Sequence, residues 1–134
     1  MALPLVIFTH GPSWFGLEAR HIAGRGHLSA EDQDVIAFSR LFCMHSEPSG
    51  RLEYLRLRTS TAEWRLGIQG KIELIELNAD VIFPLPDPLY KQRRFLPLKA
   101  LGFHHQQQHQ QQLIALLDAE QLTQLALDQR QISR

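Results

Sequence analysis

His104, His105 and His109 are the residues whose type and spacing come nearest to a metal-ligand set, within the run HHQQQHQQQ. On a helix His105 and His109, four apart, would share a face, and three imidazoles can ligate zinc or nickel. The run contains no carboxylate and no cysteine, and its other members are all glutamine. That composition favours a solvated low-complexity segment. A His-rich metal-sensing protein is therefore the alternative function, and no resident metal or cofactor is expected.

The nucleophile candidates are weaker. Cys43 and His45, two apart, would point the same way on a strand, but nothing marks an oxyanion hole or a third orienting group. A half-buried structural cysteine is the simpler reading. His10 can be combined on paper with Ser13 or Ser39 and an aspartate, yet no G-x-S-x-G elbow occurs. Gly24-Arg25-Gly26 lacks the spacing and the Lys-Ser/Thr pair of a phosphate loop. These absences point away from an enzyme.

Two polar-aromatic groups could instead recognise a protein partner. Lys91, Arg93 and Arg94 stand beside Phe95. Their functional reading is a surface for an acidic partner, and the simpler reading is a solvated crossover loop. Tyr54, Arg56 and Arg58 alternate along one predicted strand and so share a face. Tyr and Arg are enriched at interface hot spots, and a strand edge can recruit a partner strand.

Composition narrows the classes further. The 134 residues suffice for one ordinary domain with a real core. Lys+Arg and Asp+Glu are 14 each, so formal net charge is zero. Nonspecific nucleic-acid binding, which rests on neutralising phosphates, is disfavoured, as is attraction to an anionic membrane. The single cysteine forbids an intramolecular disulfide and a multi-thiolate zinc site. The opening MALPLVIFTHG has no basic n-region, is broken by Pro4 and loses its apolar run after Phe8, unlike a secretory leader. No later apolar run approaches the roughly 20 residues that span a bilayer. A soluble, cytoplasmic protein is expected.

The elements that must position these residues are mostly strands. Leu3 to Phe8 and Trp14 to Glu18 read as a hairpin around Gly11-Pro12-Ser13. Ala19 to Ile22 continues that strand or begins a helical turn. Gly24, Gly26 and the acidic Glu31, Asp32 and Asp34 suggest a loop or weak helix. Val35 to Phe38 reads as a short strand, with Ser39 capping a brief helix over Arg40, Leu41 and Phe42. Glu47-Pro48-Ser49-Gly50 is a turn.

The stretch Tyr54 to Pro86 is the clearest. Leu55 and Leu57 share a face, Thr59-Ser60-Thr61 turns, and Trp64, Leu66 and Ile68 share the next face. Trp14 and Trp64 are expected in the packing. Gly70 breaks the run. Ile72 and Leu74 alternate, but Ile75 and Leu77 have the opposite parity, which a bulge near Leu74 would reconcile. Val81 to Phe83 follows, punctuated by Pro84, Pro86 and Pro88. Leu113 to Leu117 reads as a strand. Asp118 with Gln121 has the form of a helix cap, and Leu122, Leu125 and Ile132 mark an amphipathic C-terminal helix. Seven or eight short strands and little helix predict an all-β barrel or sandwich.

In this order the segments resemble the CheW-like domains of bacterial chemotaxis. LVIFTHGPSWFGLEARHI is similar to that family's opening hairpin, with Val6 to Phe8, Gly11, Phe15-Gly16-Leu17 and Ile22 in the matching places. VIAFSRLF resembles its V-I-D-L-x-x-L-F segment, with Ala37-Phe38 in place of Asp-Leu. YLRLRTSTAEWRLGIQGKIELIELNADVIFPLP resembles its second-half core, where Gly67-Ile68 matches a glycine-aliphatic pair and Gln69 stands where an acid is common. LIALLDAEQL is similar to its closing segment. The family's Asn-x-Arg-Gly turn before V-I-D-L is missing, and the path from Ile22 to Val35 is short.

The resemblance implies two small SH3-like five-stranded barrels packed together, the first one trimmed, in a single domain over 1–134. The lobes would be intertwined, with the second-barrel core at about 51–86. It implies a non-enzymatic adaptor that couples chemoreceptors to a CheA-type histidine kinase, with no active site. A divergent interaction module with other partners, or a homo-oligomer, is the remaining alternative. Tyr54, Arg56, Arg58, Arg93 and Arg94 are the expected partner contacts.

Overall fold

The computed structural model describes residues 2–27, 35–42, 53–105 and 111–129. Cys43, His45, the turn at Glu47 to Gly50, the acidic group Glu31, Asp32 and Asp34, His109 and Ile132 lie outside the described residues.

Strands β1 (Ala2–His10) and β2 (Ser13–Glu18) form the predicted hairpin, in register from Leu5 opposite Glu18 to His10 opposite Ser13. Only Gly11 and Pro12 connect them. Gly11 has φ 60°, which a side chain disfavours and which suits the first position of a tight hairpin turn. A 3-10 turn at Ala19–His21 leads to β3 (Ile22–His27), followed by β4 (Val35–Ala37) and α1 (Phe38–Phe42). Then come β5 (Glu53–Arg58), β6 (Glu63–Ile68) and β7 (Ile72–Asn78). A second 3-10 turn, Ala79–Val81, precedes β8 (Ile82–Pro84). The chain ends through α2 (Asp87–Gln92), β9 (Leu98–His105), β10 (Gln111–Leu117) and α3 (Ala119–Asp128).

The strands divide into two sheets, β7-β1-β2-β10-β9-β8 and β3-β5-β6-β4. The larger sheet curls. Its two outer strands, β7 and β8, are joined by a three-residue turn, and Leu77 of β7 reaches across to Gly102 of β9. Its interior holds Leu5, Ile7, Leu77, Ala100, Ile114 and Leu116. The smaller sheet packs on the opposite face of β1 and β2, enclosing Val6, Phe8, Phe15, Leu17, Leu55, Leu57, Trp64, Leu66 and Ile68. Strand β1 is thus buried on both faces and divides the two cores, which explains its continuous apolar sequence. The result is the expected all-β fold of two small packed lobes with a short C-terminal helix. The run 51–86 contributes β5 and β6 to one sheet and β7 and β8 to the other.

Helix α3 closes the core that the smaller sheet encloses. Asp118 caps it, its carboxylate accepting from the backbone N–H groups of Glu120 and Gln121 at 2.9 and 3.2 Å. The Asp118 N–H goes to the Pro97 carbonyl at 2.7 Å, rather than to the Gln121 side chain. Leu122, Thr123 and Ala126 are buried. Trp64 Nε1 donates to Thr123 Oγ1 at 2.8 Å, and Thr123 donates in turn to the Ala119 carbonyl at 2.8 Å. Every polar atom of that buried pair is satisfied, so the indole can serve as core.

Five local expectations need correction. Gly24 and Gly26 lie in strand β3, because their missing side chains make room for Arg56 and Tyr54 of β5. Phe38 begins α1 rather than ending β4, and Ser39 is a buried residue within that helix, not its cap. The Pro84, Pro86 and Pro88 punctuation hides helix α2, since a proline in the first turn lacks only an N–H that no helix would use. Strand β7 has no bulge: it pairs with β1 without a shift from Ala2 opposite Asn78 to Phe8 opposite Ile72. Its parity switches because Ile72 joins one core and Leu77 the other, leaving Leu74 76% exposed. Finally, His105 is on strand β9, not on a helix.

Candidate interaction surfaces

The face predicted for Tyr54, Arg56 and Arg58 exists, and the structure supplies the partners that hold it. Tyr54 lies between Gly26 of β3 and Gly67 of β6 in register, and a Cβ on Gly26 would meet the Tyr54 ring. The Arg65 guanidinium sits 4.9 Å from the centre of that ring, a cation–π arrangement. Arg56 Nη2 donates to the Ala23 carbonyl at 3.1 Å. Arg56 Nε and Arg58 Nε lie 3.3 and 3.4 Å from the two oxygens of Glu63. Arg25 and His27 share Glu53, at 3.2 and 3.6 Å. The result is an ordered Arg/Tyr surface on a rigid sheet. Surface ion pairs of this kind add little stability, but they fix the orientation of the Arg56 and Arg58 guanidinium groups.

The second predicted group lies on the α2 crossover. The Arg93 guanidinium stacks on the Tyr90 ring at 3.6 Å and donates to the carbonyls of Leu96 (3.0 Å) and Tyr90. Arg94 is exposed. Phe95 turns inward, with its ring 5.2 Å from Phe42 and 6.1 Å from Phe38. The basic-aromatic quartet is therefore split: Phe95 anchors, Arg93 braces the loop, and Lys91 and Arg94 project.

Among the described residues the chemical candidates do not assemble. His104 and His105 are consecutive on β9 and so point to opposite faces. Among the described residues no group of three metal-ligating side chains occurs. His10 and Ser39 both line a small cleft with Phe8, Phe38 and Gln69, which has space for about one water and no carboxylate in its described lining. The His10 ring is wedged against Phe38 and Phe42 at 5.7 and 5.6 Å.

Sequence reading missed Glu18 and a set of outward apolar residues. Glu18 ends β2 and receives Lys99 Nζ from β9 and Arg20 Nη2, each at 3.2 Å, with His21 Nε2 at 3.8 Å. Partial burial pushes its carboxyl up, but the Lys99 ammonium and the Arg20 guanidinium outweigh that and hold it below the usual carboxylate value. No spacing rule joins residues 18 and 99. The apolar residues include Phe83 and Leu113, at 53% and 49% exposure, with the Phe103 ring 5.8 Å from Phe83 and Leu113 paired to Phe103. Strand parity would have shown that these cannot all face inward.

The lowered Glu18 value makes a pH prediction. A carboxyl whose folded value lies below its unfolded one contributes stability above the unfolded value and loses it as pH falls through the folded one. Glu18→Gln should therefore melt below the wild type at neutral pH, with the gap closing through the acid side of the carboxylate range. Parallel melting profiles from pH 7 to pH 3 would show that the Lys99 contact carries no such linkage.

No family model and no curated relative matches this sequence. Among solved structures, the scaffolding protein TtCheW from Thermoanaerobacter tengcongensis superposes with a TM-score of 0.64. The likeness covers 88% of this chain and 85% of that one, at 11% sequence identity. The fold is CheW-like. At this identity the likeness concerns the fold, so the CheW-like lobes carry the Arg/Tyr face and the α2 crossover without assigning either a partner. Among the described residues no helix is long and apolar enough to cross a membrane.

Proposed function

We propose that this protein is a non-enzymatic cytoplasmic adaptor, docking a CheA-type histidine kinase and chemoreceptors on the surfaces of its two lobes. The observation that carries the reading is the CheW-like fold, shared over 88% of the chain with a scaffolding protein. The ordered Tyr54, Arg56 and Arg58 face supports it, because pre-fixed Arg and Tyr side chains lose little freedom on binding. Arg93 and Arg94 belong to the second contact region. The mechanism is proximity: two partners held on one rigid body meet at a high effective concentration. No group transfer is required.

The test is a calorimetric titration against the regulatory domain of a CheA-type kinase. Saturable binding is expected, weakened in an Arg56→Gln/Arg58→Gln variant that loses only exposed polar contacts and so melts close to the wild type. Absence of binding at high micromolar concentration would remove the coupling role.

A further inference from the structure

Helix α2 is unusual in burying none of its residues. A helix with no packed face has to be held by something else. Here its base is fixed: Phe95 enters the aromatic core, Pro97 accepts the Asp118 N–H, and the Leu98 N–H goes to the Phe95 carbonyl at 3.1 Å. Arg93 clamps the tip through Tyr90 and Leu96. Leu89 and Leu96 are nevertheless 58% and 54% exposed on this braced loop.

The charge is equally unbalanced. The segment 87–96 carries three cations, Lys91, Arg93 and Arg94, against one acid, Asp87, in a chain of zero net charge. Elsewhere Arg20, Arg25, Arg56, Arg58 and Lys99 each have a carboxylate partner. Among the described residues no carboxylate pairs with Lys91, Arg93 or Arg94.

We propose that the α2 crossover is the docking surface for an acidic protein segment with apolar anchors. Leu89 and Leu96 receive the partner's apolar side chains, and Lys91 and Arg94 receive its carboxylates. Arg93 acts through Tyr90 and Leu96 to hold the loop in shape, which lowers the ordering cost of binding. An anionic membrane is the poorer occupant. Each basic residue near such a surface contributes little on its own, and stable attachment takes a second signal that a six-residue helix does not supply. This inference rests on the reading of the protein as an interaction module and adds the chemistry of one partner.

Three probes test it: a fluorescein-labelled amphipathic helical peptide with Leu on one face and Glu elsewhere, its Lys-for-Glu counterpart, and phosphatidylserine-containing vesicles. The acidic peptide should bind saturably, more weakly as salt rises. Lys91→Glu/Arg94→Glu and Leu89→Ser/Leu96→Ser should each loosen it by about tenfold or more, a loss of about 1.4 kcal/mol. Because these side chains are exposed, both variants should melt close to the wild type. No saturable binding of the acidic peptide, equal binding of the Lys peptide, unchanged affinity in both variants, or preference for the vesicles would overturn the proposal. If the kinase domain binds wild type and variants alike while the peptide does not bind, this surface is excluded and the adaptor reading stands. Peptide binding without kinase binding does the reverse.

Discussion

Phe38→Ala is expected to destabilise the protein by about 3–5 kcal/mol, the usual cost of emptying a buried aromatic site. Phe38 sits where β4 becomes α1 and is almost fully buried. Its ring centre lies 4.9 Å from those of both Phe8 and Phe15, 5.6 Å from Phe42 and 6.1 Å from Phe95. It therefore ties together β1, β2, α1 and the crossover that carries Arg93 and Arg94. Against a typical total of about 5–15 kcal/mol, the loss is a large fraction. Phe38→Leu should cost far less, since it keeps most of the volume and forfeits mainly the ring contacts. Urea denaturation separates the two. A midpoint for Phe38→Ala close to that of wild type would place the aromatic cluster outside the cooperative core.

The same cluster shows what a sequence of this kind discloses. Leu55, Leu57, Trp64, Leu66 and Ile68 could be assigned to one face because strand parity alone fixes their direction, and all five are buried. The Asp118 cap was equally readable, since a helix start needs only local chemistry. Strand β3 was hidden because its two glycines act for another strand: they make room for Tyr54 and Arg56, more than 25 residues away in sequence. Leu74 misleads for a related reason. Parity implies a single inward face for β7, whereas the strand passes from one core to the other. The candidate surfaces divide in the same way. Parity put Tyr54, Arg56 and Arg58 together, but Glu63, Arg65 and the Glu18–Lys99 contact depend on pairings that only the folded sheets create.

Gly70→Ala is the second large effect, expected at about 2–4 kcal/mol from overpacking and lost hydrogen bonds together. Gly70 lies in the turn between β6 and β7, pressed against the end of β1. A Cβ there would overlap both Thr9 Oγ1 and the Thr9 carbonyl. The adjoining contacts are exact enough to resist a shift: the Thr9 N–H donates to the Lys71 carbonyl at 3.0 Å, and the Lys71 N–H donates to Thr9 Oγ1 at 2.8 Å. Gly11→Ala gives the informative contrast. At Gly11 nothing lies near the added carbon, and the cost is only that of φ 60°, about 1 kcal/mol. If close approach governs Gly70, its alanine variant must be the less stable of the two. Adding Thr9→Ala should then recover part of the loss, because the hydroxyl is gone while the carbonyl remains. Equal destabilisation of the two glycine variants, with no recovery in the double variant, would mean that the β6–β7 turn does not clamp β1. That strand separates the two cores, so loosening it should lower the melting temperature of the whole protein in one cooperative transition.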